Sequence, residues 1–163
     1  MPVARYLVFL GLCLLVGMAS LIDADPVRAQ SNEAPYWAST RFDEVNMRVG
    51  PSVEYKIDWV YKRKGLPLKV VRLREGWRLV QDPDGDQGWV AESQLILKRT
   101  AIIVGEGLVD MRETANASSA LRWRVEPGVI GDLGNCDAGW CELDVSGRKG
   151  WVEEARLWGA GKP

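Results

Sequence analysis

The chain lacks histidine altogether among its 163 residues. Histidine is the side chain whose ordinary pKa best suits proton transfer near neutral pH, and a serine or cysteine nucleophile usually depends on such a base. Glycoside hydrolysis needs two defined carboxylates across a cleft, and no pattern singles out a pair from the 22 acidic residues. We therefore expect a protein without catalytic activity.

An excess of charge of either sign is also missing. Lysine and arginine together number 21 and aspartate and glutamate 22, which gives a formal net charge of −1. Nucleic-acid binding rests on basic side chains that neutralise several phosphates. The balance gives no electrostatic reason to expect a nucleic-acid partner.

Apolar runs long enough to span a bilayer are absent, but a shorter one stands near the start. The run 7–22 follows Arg5 and is below the roughly 20 residues that a membrane-spanning helix needs. Val27-Arg28-Ala29 then offers small residues where a signal peptidase cleaves. We expect residues 1–29 to form a signal-peptide helix and the mature chain to begin at Gln30, in the periplasm or secreted. The alternative is a retained anchor, which would be the chain's sole contact with a membrane.

Cysteine is scarce, and only Cys136 and Cys141 follow the leader. An even number of thiols in an exported chain predicts a disulfide bond. The alternatives are a reactive thiol or a metal site, but two sulfurs without histidine fall short of the four ligands that zinc usually takes. We predict no metal and no cofactor.

What the chain does contain is an internal repeat. Asn46 stands thirteen residues before Trp59, and Asp110 stands thirteen before Trp123. The offset between the two copies falls only from 64 to 62 residues along the chain. Self-similarity at a fixed spacing predicts one small fold used twice. The main paired positions are Val45–Arg48 with Val109–Arg112, Trp77 with Trp140, Trp89 with Trp151, and Leu95 with Leu157.

Each copy has the pattern of a small all-β domain. Short alternating segments are separated at close intervals by turn residues such as Gly50-Pro51-Ser52 and Asp84-Gly85. This pattern predicts two tandem barrels of five or six short strands each. Only Lys98-Arg99 separates them, and so short a link spans no more than ~10 Å, so the barrels must abut. The predicted division is a polar lead-in at 30–39, a first barrel at 40–97, a second at 100–159 and a frayed tail at 160–163.

These motifs resemble the bacterial SH3 domain, and the resemblance covers nearly all of the mature chain. The second copy departs from the pattern at Asp110 and at Glu113-Thr114-Ala115, so its first loop is expected to differ in shape. The resemblance implies SH3-like β-barrels that act in the cell envelope, where relatives bind wall peptides or partner proteins. Many relatives carry a wall hydrolase domain, and that activity is not expected here. The residues that carry the resemblance are Asn46-Met47-Arg48, Gly50-Pro51-Ser52, Gly76-Trp77, Gly88-Trp89-Val90 and Leu95.

The candidate ligand-binding residues follow from the same resemblance. Trp77 and Trp140 open a strand directly after a turn, where eukaryotic SH3 domains place the tryptophan of the peptide groove. Each is predicted to be either a groove wall or a half-buried rim residue. Tyr55 and Gln94 would extend the groove of the first repeat. Ligands rich in proline are not expected, because Ala91 and Gln94, like Glu153 and Arg156, stand where a proline-binding groove needs proline and tyrosine.

Three further patterns are predicted to have a structural role rather than a binding role. Trp59 and Trp123 fall on the apolar side of alternating strands, so we expect them in the cores, with Leu121 and Val125 on the same inward face as Trp123. Of each Trp-Val pair that closes a repeat, valine is expected to face inward. The acidic run 82–86 is expected to form a hairpin turn, because a calcium loop of the EF type needs twelve residues between helices.

The function expected from the sequence is non-catalytic binding of cell-wall peptide or of an envelope protein. The alternatives are a structural or adaptor module and a regulator of a wall hydrolase.

Overall fold

The computed structural model describes residues 33–163, and the predicted signal peptide lies outside them. Asn32–Pro163 forms one compact unit. Within the described part, no helix is long and apolar enough to cross a membrane.

Two antiparallel seven-stranded sheets make up this unit. The strands of the first are β1 Tyr36–Thr40, β2 Val45–Arg48, β3 Ile57–Tyr61, β4 Pro67–Arg74, β5 Trp77–Gln81, β6 Gln87–Ala91 and β7 Leu95–Ile96. Those of the second are β8 Thr100–Ile103, β9 Val109–Arg112, β10 Leu121–Val125, β11 Ile130–Asp137, β12 Trp140–Val145, β13 Arg148–Glu153 and β14 Leu157–Trp158. In each copy a single 3-10 turn precedes the last strand, and we call Glu92–Gln94 and Glu154–Arg156 the closing turns.

The two sheets have the same topology. The strand order is β3-β2-β6-β5-β4-β1-β7 in the first and β10-β9-β13-β12-β11-β8-β14 in the second, which is the same order shifted by seven strands. Each sheet curls around its own apolar core. The prediction of an all-β chain with two tandem SH3-like barrels is confirmed.

The inward residues come mainly from the middle strands of each sheet. Val90 and Val152 are fully buried, whereas Trp89 and Trp151 beside them are half-buried, as predicted for these pairs. Leu68 and Leu143 are also fully buried. These side chains point to one face of the sheet because successive strand residues alternate between its two faces.

Trp59 and Trp123 were expected in the cores, and that prediction was wrong. The side chains are 59% and 44% exposed, and in β10 only Val125 is buried, so the expected apolar inward face of that strand is wrong as well. The reason is the position of these strands in the sheets rather than the polarity of their residues. Strands β3 and β10 form one edge of their sheets, and only their last residues, Tyr61 and Val125, reach the core.

Both ends of the described chain pack more closely than the sequence suggested. Residues 36–39, placed in the polar lead-in, form β1 together with Thr40, and this strand pairs with both β4 and β7. The tail 160–163, expected to fray, packs back on the body: Ala160 is buried, and the Gly161 carbonyl accepts a hydrogen bond from the Trp37 indole at 3.2 Å. Backbone pairing within the first sheet therefore orders the lead-in, and a hydrogen bond between the repeats holds the tail.

The barrels abut as the short link predicted. Thr100 donates a hydrogen bond from its hydroxyl to the Gly65 carbonyl at 2.7 Å, and the Trp158 indole donates to the Pro67 carbonyl at 3.2 Å. Ile102 of the second sheet is buried in the core of the first. Burial within this junction lowers the pKa of the Arg99 guanidinium, which donates to the Gly159 carbonyl at 2.8 Å.

Candidate binding grooves

Trp77 and Trp140 occupy equivalent places in the two barrels. Each is half-buried and opens a strand directly after a glycine with positive φ, Gly76 or Gly139. A glycine is suited to this turn because other residues adopt such a φ only at a cost. Trp77 pairs with Ala91 and Trp140 with Glu153, which places each ring next to a closing turn.

In the second repeat Trp140 lines a cleft of about 210 Å³, which we call the second groove. The cleft lies between the first loop of that repeat, residues 113–120, and the closing turn Glu154–Arg156. The groove reading of Trp140 is therefore the one that the geometry favours. The lining residues are Leu108, Val109, Asp110, Arg112, Ala117, Trp140, Glu153 and Arg156.

The charged walls of the second groove are held in place by other parts of the protein. Asp110 accepts hydrogen bonds from Arg112 at 2.7 Å and from Arg124 at 3.2 Å. Arg112 also donates to the Ser119 carbonyl in the first loop at 2.8 Å. Arg156 donates to the carbonyl oxygens of Val104 and Glu106 at 3.0 and 2.8 Å. The groove is therefore preorganised, and a ligand entering it would not have to order these side chains.

The first repeat has the corresponding positions, which we call the first groove. Arg48 stands where Arg112 stands in the second, and it donates to the carbonyls of Val53 and Tyr55 at 3.0 and 2.6 Å. Gln94 takes the place of Arg156 in the closing turn, and it lies at the same end of the sheet as Trp77 because Ala91 pairs with Trp77.

Tyr55 lies on the first loop of this repeat, with 48% of its side chain exposed. Its ring packs against Gly50 so closely that a Cβ at that glycine would stand 2.6 Å from it. The structure thus joins Trp77 and Gln94 at one end of the sheet and places Tyr55 on the loop that Arg48 fixes. The assignment of Tyr55, Trp77, Gln94 and Trp140 as ligand-binding residues stays a prediction.

Arg78 supports the first groove, and the sequence analysis missed it. Its side chain is nearly buried behind Trp77, where Nε donates to the Tyr36 hydroxyl at 2.9 Å and Nη1 donates to the Trp77 carbonyl at 3.0 Å. Nη2 forms an ion pair with Glu92 of the closing turn at 2.5 Å. Arg78 therefore joins the hairpin of Trp77 to the closing turn. The signal for it was available, since an arginine stood at an inward position of an alternating strand.

In the second repeat a disulfide bond holds the equivalent hairpin. Cys136 and Cys141 are disulfide-bonded across β11 and β12, as predicted, with their Cα atoms 4.0 Å apart. Their counterparts Leu73 and Arg78 face each other at the same place in the first repeat. The two copies thus hold the loop before the groove tryptophan by different chemistry.

The acidic run of the first repeat forms the hairpin turn that was predicted. The Asp82 backbone amide donates to the Asp86 carbonyl, and Oδ1 of Asp82 accepts from the amides of Asp84 and Asp86, both at 3.0 Å. Oδ2 accepts from the Tyr61 hydroxyl at 3.2 Å. Burial of Tyr61, assisted by the neighbouring Asp82 carboxylate, raises the pKa of its phenol well above the ordinary value of 10.0.

This architecture defines a class of protein, namely a tandem pair of SH3-like barrels with the same strand order in each copy. The family model for the bacterial SH3 domain matches residues 42–96 and again residues 105–159. The chain belongs to this family.

Other comparisons gave more distant similarity. Two solved structures, NlpC2 and NlpC1 from Trichomonas vaginalis, are similar at 10% sequence identity and a TM-score of 0.35. The alignments cover 78% and 79% of this chain, and 49% and 47% of those chains, so the chain spans about half the length of either. No curated protein matches.

Proposed function

We propose that this protein is an exported, non-catalytic binding protein whose barrels hold a cell-wall peptide or an envelope protein. The observation that carries the proposal is the preorganised second groove beside Trp140, together with the equivalent positions around Trp77. Membership of the bacterial SH3 family supports it. An aromatic wall beside fixed polar groups suits an extended peptide, because the ring covers the apolar part and the polar groups orient the rest.

Retention on purified peptidoglycan tests the ligand. Trp77→Ala and Trp140→Ala each remove one aromatic wall, so each variant should retain less protein than the native chain, and the double variant should retain least. Trp123→Ala is the matched control, because Trp123 is exposed in the second repeat and does not line the groove.

The outcome separates the candidate partners. Loss of retention in the double variant, with retention kept in the Trp123→Ala control, would support wall binding. Absence of retention by the native protein, with one stoichiometric protein recovered from an envelope extract through the same tryptophans, would assign the grooves to a protein partner. Retention unchanged in the double variant would refute the groove assignment.

The non-catalytic part of the proposal has its own readout. The lack of histidine supports it. The positions of the two side chains whose pKa is shifted also support it, because Tyr61 packs in the first core and Arg99 lies in the junction between the barrels. Incubated alone with peptidoglycan, the purified protein should release no soluble fragments. Release by the protein alone would contradict the proposal, and release only when a separate hydrolase is present would indicate a regulator.

Export is the remaining part, and it rests on the charged start, the apolar run 7–22 and the small residues before Gln30. Cell fractionation with amino-terminal sequencing should find a periplasmic or secreted chain that begins at Gln30. A chain that begins at Met1 in the cytoplasmic fraction would contradict export.

A further inference from the structure

A second concave site lies between the two barrels, away from the grooves. This inter-repeat cleft has a volume of about 520 Å³, within the range of about 300–1,000 Å³ that ligand pockets span. Trp59 and the hairpin 82–86 form one wall, and Ile102, Val104 and Pro127 of the second repeat form the other. None of the residues that line the second groove takes part.

The cleft has fixed walls. Ile102 is buried in the core of the first barrel, so the second barrel cannot move away from this face without exposing it. Asp82 is fully engaged, because its two carboxylate oxygens accept hydrogen bonds from the Tyr61 hydroxyl and from two backbone amides of its own hairpin. The groups left to meet a ligand are the exposed ring of Trp59 and the exposed carboxylates of Asp84 and Asp86.

All the charged side chains that line this cleft are acidic. Its lining contains three aspartates and neither lysine nor arginine. Among residues 33–163, Asp84 and Asp86 form no ion pair. The guanidinium groups of Arg63 and Arg156 are bonded to backbone at the rim, where they donate to the carbonyls of the lining residues Gly128 and Val104.

In the second repeat, the tryptophan equivalent to Trp59 is Trp123, and it contacts a basic side chain of its own repeat. The guanidinium carbon of Arg148 lies 5.4 Å from the ring centre of Trp123, the counterpart of Trp59, within the distance of a cation–π contact. The offset that pairs Trp151 with Trp89 pairs Arg148 with Asp86. In the second repeat, the guanidinium group of Arg148 therefore covers Trp123. In the first repeat the equivalent residue is Asp86, which carries the opposite charge, and the ring of Trp59 stays exposed.

We propose that the inter-repeat cleft binds the basic side chain of an extended peptide, lysine or arginine. The aliphatic part lies along Trp59 and the apolar wall of the second repeat, and the charged end meets Asp84 and Asp86. An extended segment fits better than the surface of a folded protein, because the site is recessed between two barrels that are held together.

Titration of the isotope-labelled protein with acetyl-Gly-Lys-Gly-amide, followed by amide and indole NMR signals, tests the site. The lysine peptide should shift the Trp59 indole and the amides of 82–86 in a saturable way, and an arginine peptide should do the same. The matched peptide with norleucine in place of lysine, which has the aliphatic chain without the charge, should not. Raising the salt concentration should weaken the binding, since both carboxylates are exposed.

Variants then assign the contacts. Asp84→Asn with Asp86→Asn keeps the backbone amides that bond to Asp82 and should weaken binding of the lysine peptide by about tenfold or more. Trp59→Ala should also lose binding, and Trp123→Ala should keep it. Thermal unfolding of each variant checks that the barrels remain folded.

The proposal is overturned by any of three results: equal shifts with the norleucine peptide, no shift at all, or shifts confined to the indoles of Trp77 and Trp140. The last of these would still support the groove function. Failure of the grooves to retain peptidoglycan, in turn, leaves the titration at Trp59 unaffected, so the two proposals fail separately.

Discussion

At the scale of single residues, the Tyr61 phenol has the clearest energetic consequence. The side chain is 5% exposed and donates its hydroxyl proton toward Asp82, so ionising it inside the fold would place two negative charges together in a poorly solvated position. The folded protein therefore keeps Tyr61 protonated at pH values where an unfolded chain has lost that proton.

Tyr61→Phe should change the pH dependence of stability. Because an unfolded tyrosine ionises near its ordinary pKa of 10.0 and the folded pKa is raised, the contribution is fully present below about pH 10 and is lost as the pH rises above it. At neutral pH the variant should be less stable by about 1 kcal/mol, since Oδ2 of Asp82 loses a donor. Between about pH 9 and about pH 11 its free energy of unfolding, from urea titration, should fall less than that of the native protein. Equal falls in the two proteins would contradict this account.

Residue patterns predicted the buried side of the closing strands but not the exposure of Trp59 and Trp123. Val90 and Val152 were predicted correctly because each lies beside a much larger side chain in a central strand. Alternation alone cannot tell a strand that stays over the core from one that leaves it at the sheet edge. The alternating pattern of β5 marked Arg78 as an inward residue, but not its partner, since Tyr36 lies on a strand that had not been assigned.

At the scale of elements, the hairpin of β11 and β12 shows a covalent bond added to a turn that does not require it. The first repeat builds the equivalent hairpin of β4 and β5 with Leu73 opposite Arg78. The sulfur bridge therefore stabilises a connection that backbone pairing already forms.

Replacing both Cys136 and Cys141 by serine should lower thermal stability and leave the barrel folded. The bond closes a loop with a sequence separation of 5, for which the chain-entropy treatment gives only ~2 kcal/mol. Circular dichroism at room temperature should keep its β-sheet signal while the unfolding temperature falls. Collapse of that signal at room temperature would refute the prediction.

Turn residues located most of the strands, but the first strand was missed. Strand pairing, rather than the sequence offset of 64, aligns Ala38 of β1 with Ala101 of β8, since Ala38 pairs with Leu68 and Ala101 with the equivalent Gly131. The sequences Tyr-Trp-Ala-Ser-Thr and Thr-Ala-Ile-Ile share too little polarity pattern to reveal this. Long-range pairing makes β1 a strand, and local propensity contributes little to it.

At the scale of the whole molecule, stability depends on the junction of the barrels. Gly159 sits there with φ of +102°, and a Cβ on it would lie 2.8 Å from Cβ of Pro67 and closer still to the carbonyl oxygen of Thr100. Backbone and a proline ring offer little room to adjust.

Gly159→Ala should therefore destabilise the protein by roughly 3 kcal/mol, through backbone strain together with the clash. Gly76→Ala is the control, because Gly76 also has a positive φ, of +69°, but a Cβ added there would meet nothing within 4 Å. The control should lose only about 1–2 kcal/mol. Chemical unfolding of both variants measures the difference, and equal losses would show that the junction tolerates the added methyl group.

The sequence could predict that the barrels touch, but not how. Two linking residues, Lys98 and Arg99, force contact. The rotation of one barrel against the other depends on contacts such as Ile102 in the first core and the Trp158 indole on Pro67, which no local pattern encodes. The inter-repeat cleft exists only through that rotation, so neither its walls nor its charge could be predicted from the two repeats taken separately.

The contact of Trp37 with Gly161 brings the beginning and the end of the described chain to the same spot, and the ring of Trp37 also packs edge-on against Trp158 at 5.2 Å. A circularly permuted gene that fuses Pro163 to Glu33 through a few glycines, with new ends opened in an exposed turn such as Asp84-Gly85, would therefore preserve every strand pairing.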